Sequence, residues 1–558
     1  MQTISKRQFL LCSAAIFPLM ASGCNQLSVG KPVVDLPGTT IDMHAHVFNG
    51  KDIPVTGFLT QVVLRKEDAP VGEGSYDGLI NLIKNFLFSG TLTAESELAK
   101  MRSESNLLAE TVHENDILKQ DQDRLARGVR EFEKQIHSKR QLKAVNKTSD
   151  VLMLDELYRA AGINQNVRTF SNTKENATLI AASVYQPNKI GLRALRRQNP
   201  PLGLLLRWAM LLRRDRRDIV TRLKHLYGKT FEENSGREVS IFSPSILDLE
   251  YWLKYNENDF SPIEAQVEVM SEIAKREEDI VLLNFVAFCP LRAALVRKNQ
   301  QDPLEVIKKA VSKEYGFAGV KIYPPLGFKP IGNSEDKLFG AKKGFMVSGG
   351  KINHELKNLY KWCADHQIPI KAHGNNSISA SPNSGCNASP KYWDQVLEKY
   401  PDLHVNFAHF GGFDETRDGA IICDPNAPIE DWDVMAARIA DKREGFYLDL
   451  GFWDGALLGG GAQRYRVIKN TKDIVASYSK LEERVMYGSD WTMIGKERNH
   501  TRYLAKARST IIEVGLPLDK VMSDNALDYL FLRSSGAQWD RLSNFFPADH
   551  LFHKLLQV

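Results

Sequence analysis

The sequence predicts an α/β fold, a (β/α)8 TIM barrel with a large, mostly helical insertion after its first strand. Three observations predict it. Short apolar runs alternate with amphipathic stretches of helical length from Val239 onward, the rhythm of parallel strands wrapped by helices. One further run, Thr40 to Phe48, brings the number of runs to eight. Histidines and carboxylates stand at the ends of these runs, where such a barrel gathers its working residues.

In chain order, residues 1–23 have the form of a signal peptide. Lys6 and Arg7 precede the apolar run "FLLCSAAIFPLM", which is too short to span a membrane. The run closes on "ASGC", and the small residues before Cys24 resemble the lipobox of bacterial lipoproteins, with Cys24 as the lipidated first residue. "SKRQFL" also resembles a twin-arginine signal with Lys6 in place of the first arginine. The expectation is an exported, membrane-anchored lipoprotein facing the periplasm, with residues 24–38 as linker. Removing residues 1–23 lowers the formal net charge from +5 to +3, too little to argue for a nucleic-acid partner. The remaining cysteines are too few for a disulfide scaffold and unlike a zinc cluster in spacing. Cys386 and Cys423 fall in loops after successive strands, where a disulfide can form in an oxidising compartment; two free thiols are the alternative.

The first strand, "TIDMHAHVF", puts Asp42, His44 and His46 on one face by its period of two. Residues 50–237 then break the rhythm. Thr93 to Lys147 interleaves acids and bases, either as a solvated helical hairpin or as a partly disordered stretch. "GLLLRWAMLLRRDRRDIVTRLKHLYG" sets Leu204, Trp208, Leu211 and Leu212 against arginines, either as a basic face over the barrel or as a membrane-surface helix. The other strand runs are "VSIFSPSI", "DIVLLNFVAF", "FAGVKIYPP", "QIPIKAHG", "LHVNFAHFGG", "EGFYLDLGF" and "ERVMYGSDW". The barrel is thus expected over 39–49 and 238–535, with 536–558 as a C-terminal extension. Because the insertion leaves the barrel on the side where the strands end, it should form a lid or wall over the site.

At those strand ends stand His44 and His46, His373 in "IKAHGNN", His409 in "NFAHFGG" and Asp490 in "YGSDW". One H-x-H recurs by chance, but four histidines and a carboxylate at the mouth of one barrel point to a divalent metal. Lys321 in "GVKIYPP" should also face inward, beside Asp42 and Lys371, and a buried ion pair would satisfy it. Arg292 in "FCPLR" is either a contact for an anionic substrate group or an exposed surface arginine.

These segments resemble the amidohydrolase superfamily of metal-dependent hydrolases, and within it the branch related to aminocarboxymuconate-semialdehyde decarboxylase. The likeness rests on "TIDMHAHVF", "FAGVKIYPP", "SPKYWDQVLEKYPDLHVNFAHFGG", "YGSDW" and "SDNALDYLFL"; the insertion lies outside it. The resemblance implies one divalent ion, zinc first and manganese or another divalent ion as the alternative, held by His44, His46, His373 and Asp490. It implies His409 as the catalytic histidine; by the chemistry of the groups, Asp490 could bind the ion through one oxygen and take a proton from its water with the other. Lys321 would, in a two-metal member, be carboxylated and bridge both ions. The expected reaction on a small-molecule substrate is hydrolysis of an amide, ester or lactone by metal-activated water. The alternatives are a decarboxylase or hydratase of a small carboxylic acid, and a binding lipoprotein without catalysis.

Overall fold

A computed structural model describes residues 39–59, 87, 91–103, 208–228, 238–253, 260–296, 301–339, 346–377, 384–413, 423, 431–497, 499–533 and 536–556. Residues 1–38, on which the expected signal peptide, lipidated Cys24 and linker fall, and most of the insertion lie outside the described residues.

Two parallel sheets form the framework. One has the order β1 (Thr40–Ala45), β2 (Val239–Pro244), β3 (Val281–Leu282). The other runs β4 (Phe285–Ala287), β5 (Gly319–Ile322), β8 (Ile370–Ala372), β9 (Val405–Phe407), β10 (Phe446–Asp449), β11 (Val485–Met486). Every predicted run therefore supplies a strand, and almost every residue in these strands is buried, as expected of parallel strands covered on both faces. Between the two sheets, Ser245 bridges Phe285 at one junction. At the other, the Met43 N–H donates to the Tyr487 carbonyl over 2.9 Å and Ala45 bridges Trp491.

The run "DIVLLNFVAF", expected as one strand, is two. The Leu283 N–H still donates to Phe242 of β2, whereas the Asn284 carbonyl accepts from Ala318 just before β5. The chain thus changes sheets at Asn284, whose side chain donates to the Met270 carbonyl over 3.2 Å. A short antiparallel hairpin, β6 (Lys337–Phe339) with β7 (Met346–Ser348), was not expected from the sequence, because three-residue strands leave little periodicity to read.

Helices cover the strands wherever an apolar stripe lets them. In α3 (Ile263–Arg276), Val267, Met270, Ile273 and Ala274 form that stripe, and Lys275 and Arg276 close its negative end. The described part of the insertion packs down on this framework. Helix α1 (Ala94–Ser103) is tied to α3 by Arg276, which donates to the Met101 carbonyl over 2.9 Å. Helix α2 (Arg216–Tyr227) begins with Arg216, buried and paired with Asp52 and with Glu97 at 2.9 Å. Trp208, Leu211 and Leu212 are buried, and so are Arg214 and Arg216, which places this stretch against the protein. The Trp208 indole donates to the Thr492 carbonyl over 2.9 Å, and the Tyr227 ring lies 4.8 Å from that of Trp491. Both contacts fall on the loop that carries Asp490.

The opposite end is closed by the C-terminal extension. Gln538 donates to the Ala318 carbonyl over 2.8 Å just ahead of β5, and the Phe545 ring presses on Gly316, which has φ +67 and no room for a Cβ. Cys386 and Cys423 form a disulfide with Cα atoms 5.4 Å apart, in keeping with the expectation from their loops.

Candidate metal centre

His44 is the fifth residue of β1, and His46 follows one residue past the strand end, so both imidazoles leave on the same side. Each ring is oriented by an acceptor on its Nδ1. Asp449 accepts from His44 over 3.1 Å, and the Ser245 carbonyl accepts from His46 over 3.1 Å. Those bonds put the ring protons on Nδ1 and leave both Nε2 lone pairs facing inward. Asp490 completes the group: its Oδ1 lies 3.4 Å from Nε2 of each histidine. The ligand atoms of His44, His46 and Asp490 all fall within 4.8 Å of one another, and the three residues are buried.

Electrostatics favour the metal-binding protonation state of all three. Burial pushes His44 down to about 3, and His46 is lowered for the same reason. For Asp490, burial alone would raise the carboxyl; His44, His46 and His409 overrule it and hold the group well below the usual carboxylate range. Two neutral imidazoles and one carboxylate are a donor set suited to a divalent cation. Among the described residues the buried His44 Nε2 has no hydrogen-bond partner, as expected of a nitrogen kept for a metal.

His373 does not join this cluster. It follows β8 as expected, but its Nδ1 meets His409 Nε2 at 3.1 Å and its Nε2 meets Ser377 Oγ at 2.8 Å. The Tyr323 ring stacks on it at 4.1 Å. Both ring nitrogens are thus engaged beside the cluster, where sequence reasoning expected a fourth ligand. His409 lies between, its ring 4.6 Å from both His44 and His373. Its Nδ1 donates to the Gly451 carbonyl over 2.9 Å, so its Nε2 is the acceptor of the His373 proton.

Backbone strain marks the same residues. His409 has φ +66 and Asp490 φ +59, a left-handed region that non-glycine residues seldom occupy without compensation. The compensation is visible. Asp449 accepts the His409 N–H over 3.0 Å, and the His44 carbonyl accepts that of Asp490 over 2.7 Å.

Two expectations need correction. Lys321 is buried on β5, but it forms no ion pair with Asp42, and among the described residues its Nζ has no hydrogen-bond partner. Lys371 instead donates to the Ser243 carbonyl and to the hydroxyls of Ser243 and Ser245, at 2.8–3.1 Å. Asp42 accepts the N–H groups of His44 and Ser489, each over 3.0 Å. Burial explains the change: it lowers Lys371 far below an ordinary lysine and raises Asp42 to about 7, so neutral partners serve better than a charge pair. Lys321 is lowered to about 8 by the same cause. Arg292 is not free for a substrate anion either. Asp248 takes both arms of its guanidinium at 2.6 Å and Glu250 adds a bond at 3.0 Å.

Asp449 was missed in the sequence. It ends "EGFYLD" as one more buried acid, and the available signal was its position at the end of β10, where four other strands carry polar residues of the site.

The family model described as amidohydrolase matches residues 255–532, so His373, His409 and Asp490 lie within the match and His44 and His46 before it. No curated protein matches the chain. Among solved structures, an uncharacterized TIM-barrel protein from Bordetella bronchiseptica is 15% identical, with 56% of this chain and 82% of that one covered and a TM-score of 0.32. Amidohydrolase 2 from Bifidobacterium longum subsp. infantis is 11% identical, with coverage of 57% and 86% and a TM-score of 0.31. A dihydroxybenzoic acid decarboxylase from Polaromonas sp. JS666, solved with manganese and the inhibitor 2-nitroresorcinol, is 14% identical, with coverage of 64% and 94% and a TM-score of 0.32. Residues 255–532 thus match the amidohydrolase family, and the chain is an enzyme.

Proposed function

We propose that the protein is a metal-dependent hydrolase that cleaves an amide, ester or lactone, working in a closed eight-stranded barrel to which β3 and β4 together contribute one strand. The observation that carries this reading is the buried convergence of His44 Nε2, His46 Nε2 and Asp490 within 4.8 Å. A divalent ion held there would supply a water acidified from a pKa of about 15.7 to near 7 and a Lewis acid for the substrate carbonyl. Zinc suits the nitrogen-rich donor set, with manganese as the alternative.

The side chains divide the remaining work. Asp490 turns Oδ1 toward both histidines, which leaves its second oxygen to take a proton from water. His409, its Nδ1–H held by the Gly451 carbonyl, receives a proton at Nε2 from His373, which Ser377 and Tyr323 can resupply along a line whose links measure 3.1, 2.8 and 3.4 Å. Trp208, Phe58, Phe48 and His46 form a continuous aromatic file with centroid spacings of 6.1–6.3 Å, and this side of the insertion walls the site from water. Export and a lipid on Cys24 complete the proposal. Lipid labelling of Cys24→Ser should then fail.

Elemental analysis alongside rate tests the function. The parent should hold one divalent ion per chain and His44→Ala less. His409→Asn should keep the ion yet turn over slower by a factor on the order of 10² or more. Carbon dioxide released from an aromatic carboxylate, with no hydrolysis of esters, amides or lactones, would move the site to the decarboxylase reading. A parent protein that takes up no metal would end both.

A further inference from the structure

Three elements of the site meet at a single oxygen atom. Asp449 Oδ1 accepts the imidazole N–H of His44 over 3.1 Å, the backbone N–H of His409 over 3.0 Å and that of Gly451 over 2.9 Å. Its Oδ2 accepts from the Asn406 side chain over 2.7 Å. The residue is fully buried.

Each bond has a distinct consequence. The bond to His44 fixes the proton on Nδ1 and so presents Nε2 to the cluster, and an ionised acceptor makes that nitrogen a stronger donor to a metal. The bond to the His409 N–H stabilises a backbone at φ +66 that would otherwise relax, taking the ring with it. The bond to the Gly451 N–H holds the peptide whose carbonyl accepts from His409 Nδ1, so the His409 backbone and ring are both referred to Asp449.

We propose that Asp449 is a positioning residue that holds the metal ligand His44 and the proton acceptor His409 in mutual register through one shared carboxylate oxygen. It touches neither substrate nor ion and acts only through the two histidines. The proposal rests on the metal-binding reading of the site.

Asp449→Asn isolates the charge. Its amide oxygen can keep the three inner donors, and the new amide N–H can face Asn406, whose Oδ1 has no partner among the described residues and can turn to accept it. The variant should therefore fold, with a melting temperature close to that of the metal-free parent. Its affinity for Zn2+, measured by competition with a chelator, should fall 10- to 100-fold. Nitrogen-edited NMR of the parent should show the His44 proton on Nδ1. Zinc affinity within about twofold of the parent in a folded Asp449→Asn overturns the proposal alone, whereas a parent without zinc affinity overturns the metal reading and this proposal together. If Asp449→Asn fails to fold, the parent spectrum decides, since a His44 proton on Nε2 overturns the assignment whatever the variant does.

Discussion

Gly451→Ala is the most economical way to disturb the site without altering any ligand. A Cβ at Gly451 would sit 2.5 Å from His44 Nδ1 and 2.8 Å from Asp449 Oδ1, inside the hydrogen bond that joins them. Ordinary contact begins near 3.4 Å, so the His44 ring must retreat by roughly 1 Å. A metal site tolerates about 0.2 Å in its ligand distances. One ligand is then lost or misdirected, and zinc affinity should drop by about 10- to 100-fold. The fold should suffer less, about 1–3 kcal/mol, the usual cost of overpacking. Gly461→Ala provides the control, because a Cβ there meets nothing within 4 Å at the start of a helix and should be neutral or slightly stabilising. Chelator competition gives the affinity, and urea unfolding of the metal-free proteins gives the stability. Gly451→Ala with parental zinc affinity and parental turnover would refute the reasoning, since no rearrangement that keeps His44 in place can also admit the methyl group.

Further outcomes follow from the same geometry. Lys321→Ala should leave metal content at one ion per chain, whereas two ions in the parent falling to one in the variant would establish a carboxylated-lysine bridge in place of the one-metal site. Arg216→Met strands Asp52 and Glu97 as buried carboxylates and should cost about 3–5 kcal/mol in urea unfolding; a loss under about 1 kcal/mol would show that the insertion is not anchored there. His404, which burial lowers to about 4 beside the Tyr529 carbonyl, stays neutral in the folded protein while its unfolded counterpart takes up a proton below about 6.5. Its contribution is therefore complete above pH 6.5 and is lost as the pH falls to 4, worth about 3 kcal/mol across that window. His404→Gln should flatten the stability profile between those values relative to the parent, and parallel profiles would refute the assignment.

The sequence disclosed what has a period or a position. Every strand run was legible because parallel strands buried on both faces are apolar throughout. The positions of His44, His46, His409 and Asp490 were legible because each stands at or just past the end of such a run. What escaped depends on rotamers and on solvation. Nothing in "IKAHGNN" tells that His373 turns one nitrogen to His409 and the other to Ser377. Nor does any spacing reveal that Lys371 would find two serines of the other sheet and leave Lys321 without a hydrogen-bond partner among the described residues. Arg292 illustrates a third difficulty, since Asp248 and Glu250 precede it by more than forty residues and only the fold brings all three together. Asp449 escaped for the opposite reason: one acid in an apolar run is unremarkable until its neighbours are known.

The left-handed backbone at His409 and Asp490 sets what the fold itself would prefer at those two positions. Glycine would adopt both conformations without penalty, so His409→Gly and Asp490→Gly relieve local strain of order 1 kcal/mol or more while destroying the chemistry. On the proposed function, stability and catalysis therefore pull against each other at these two residues, and the fold bears local strain in order to aim both side chains at one point.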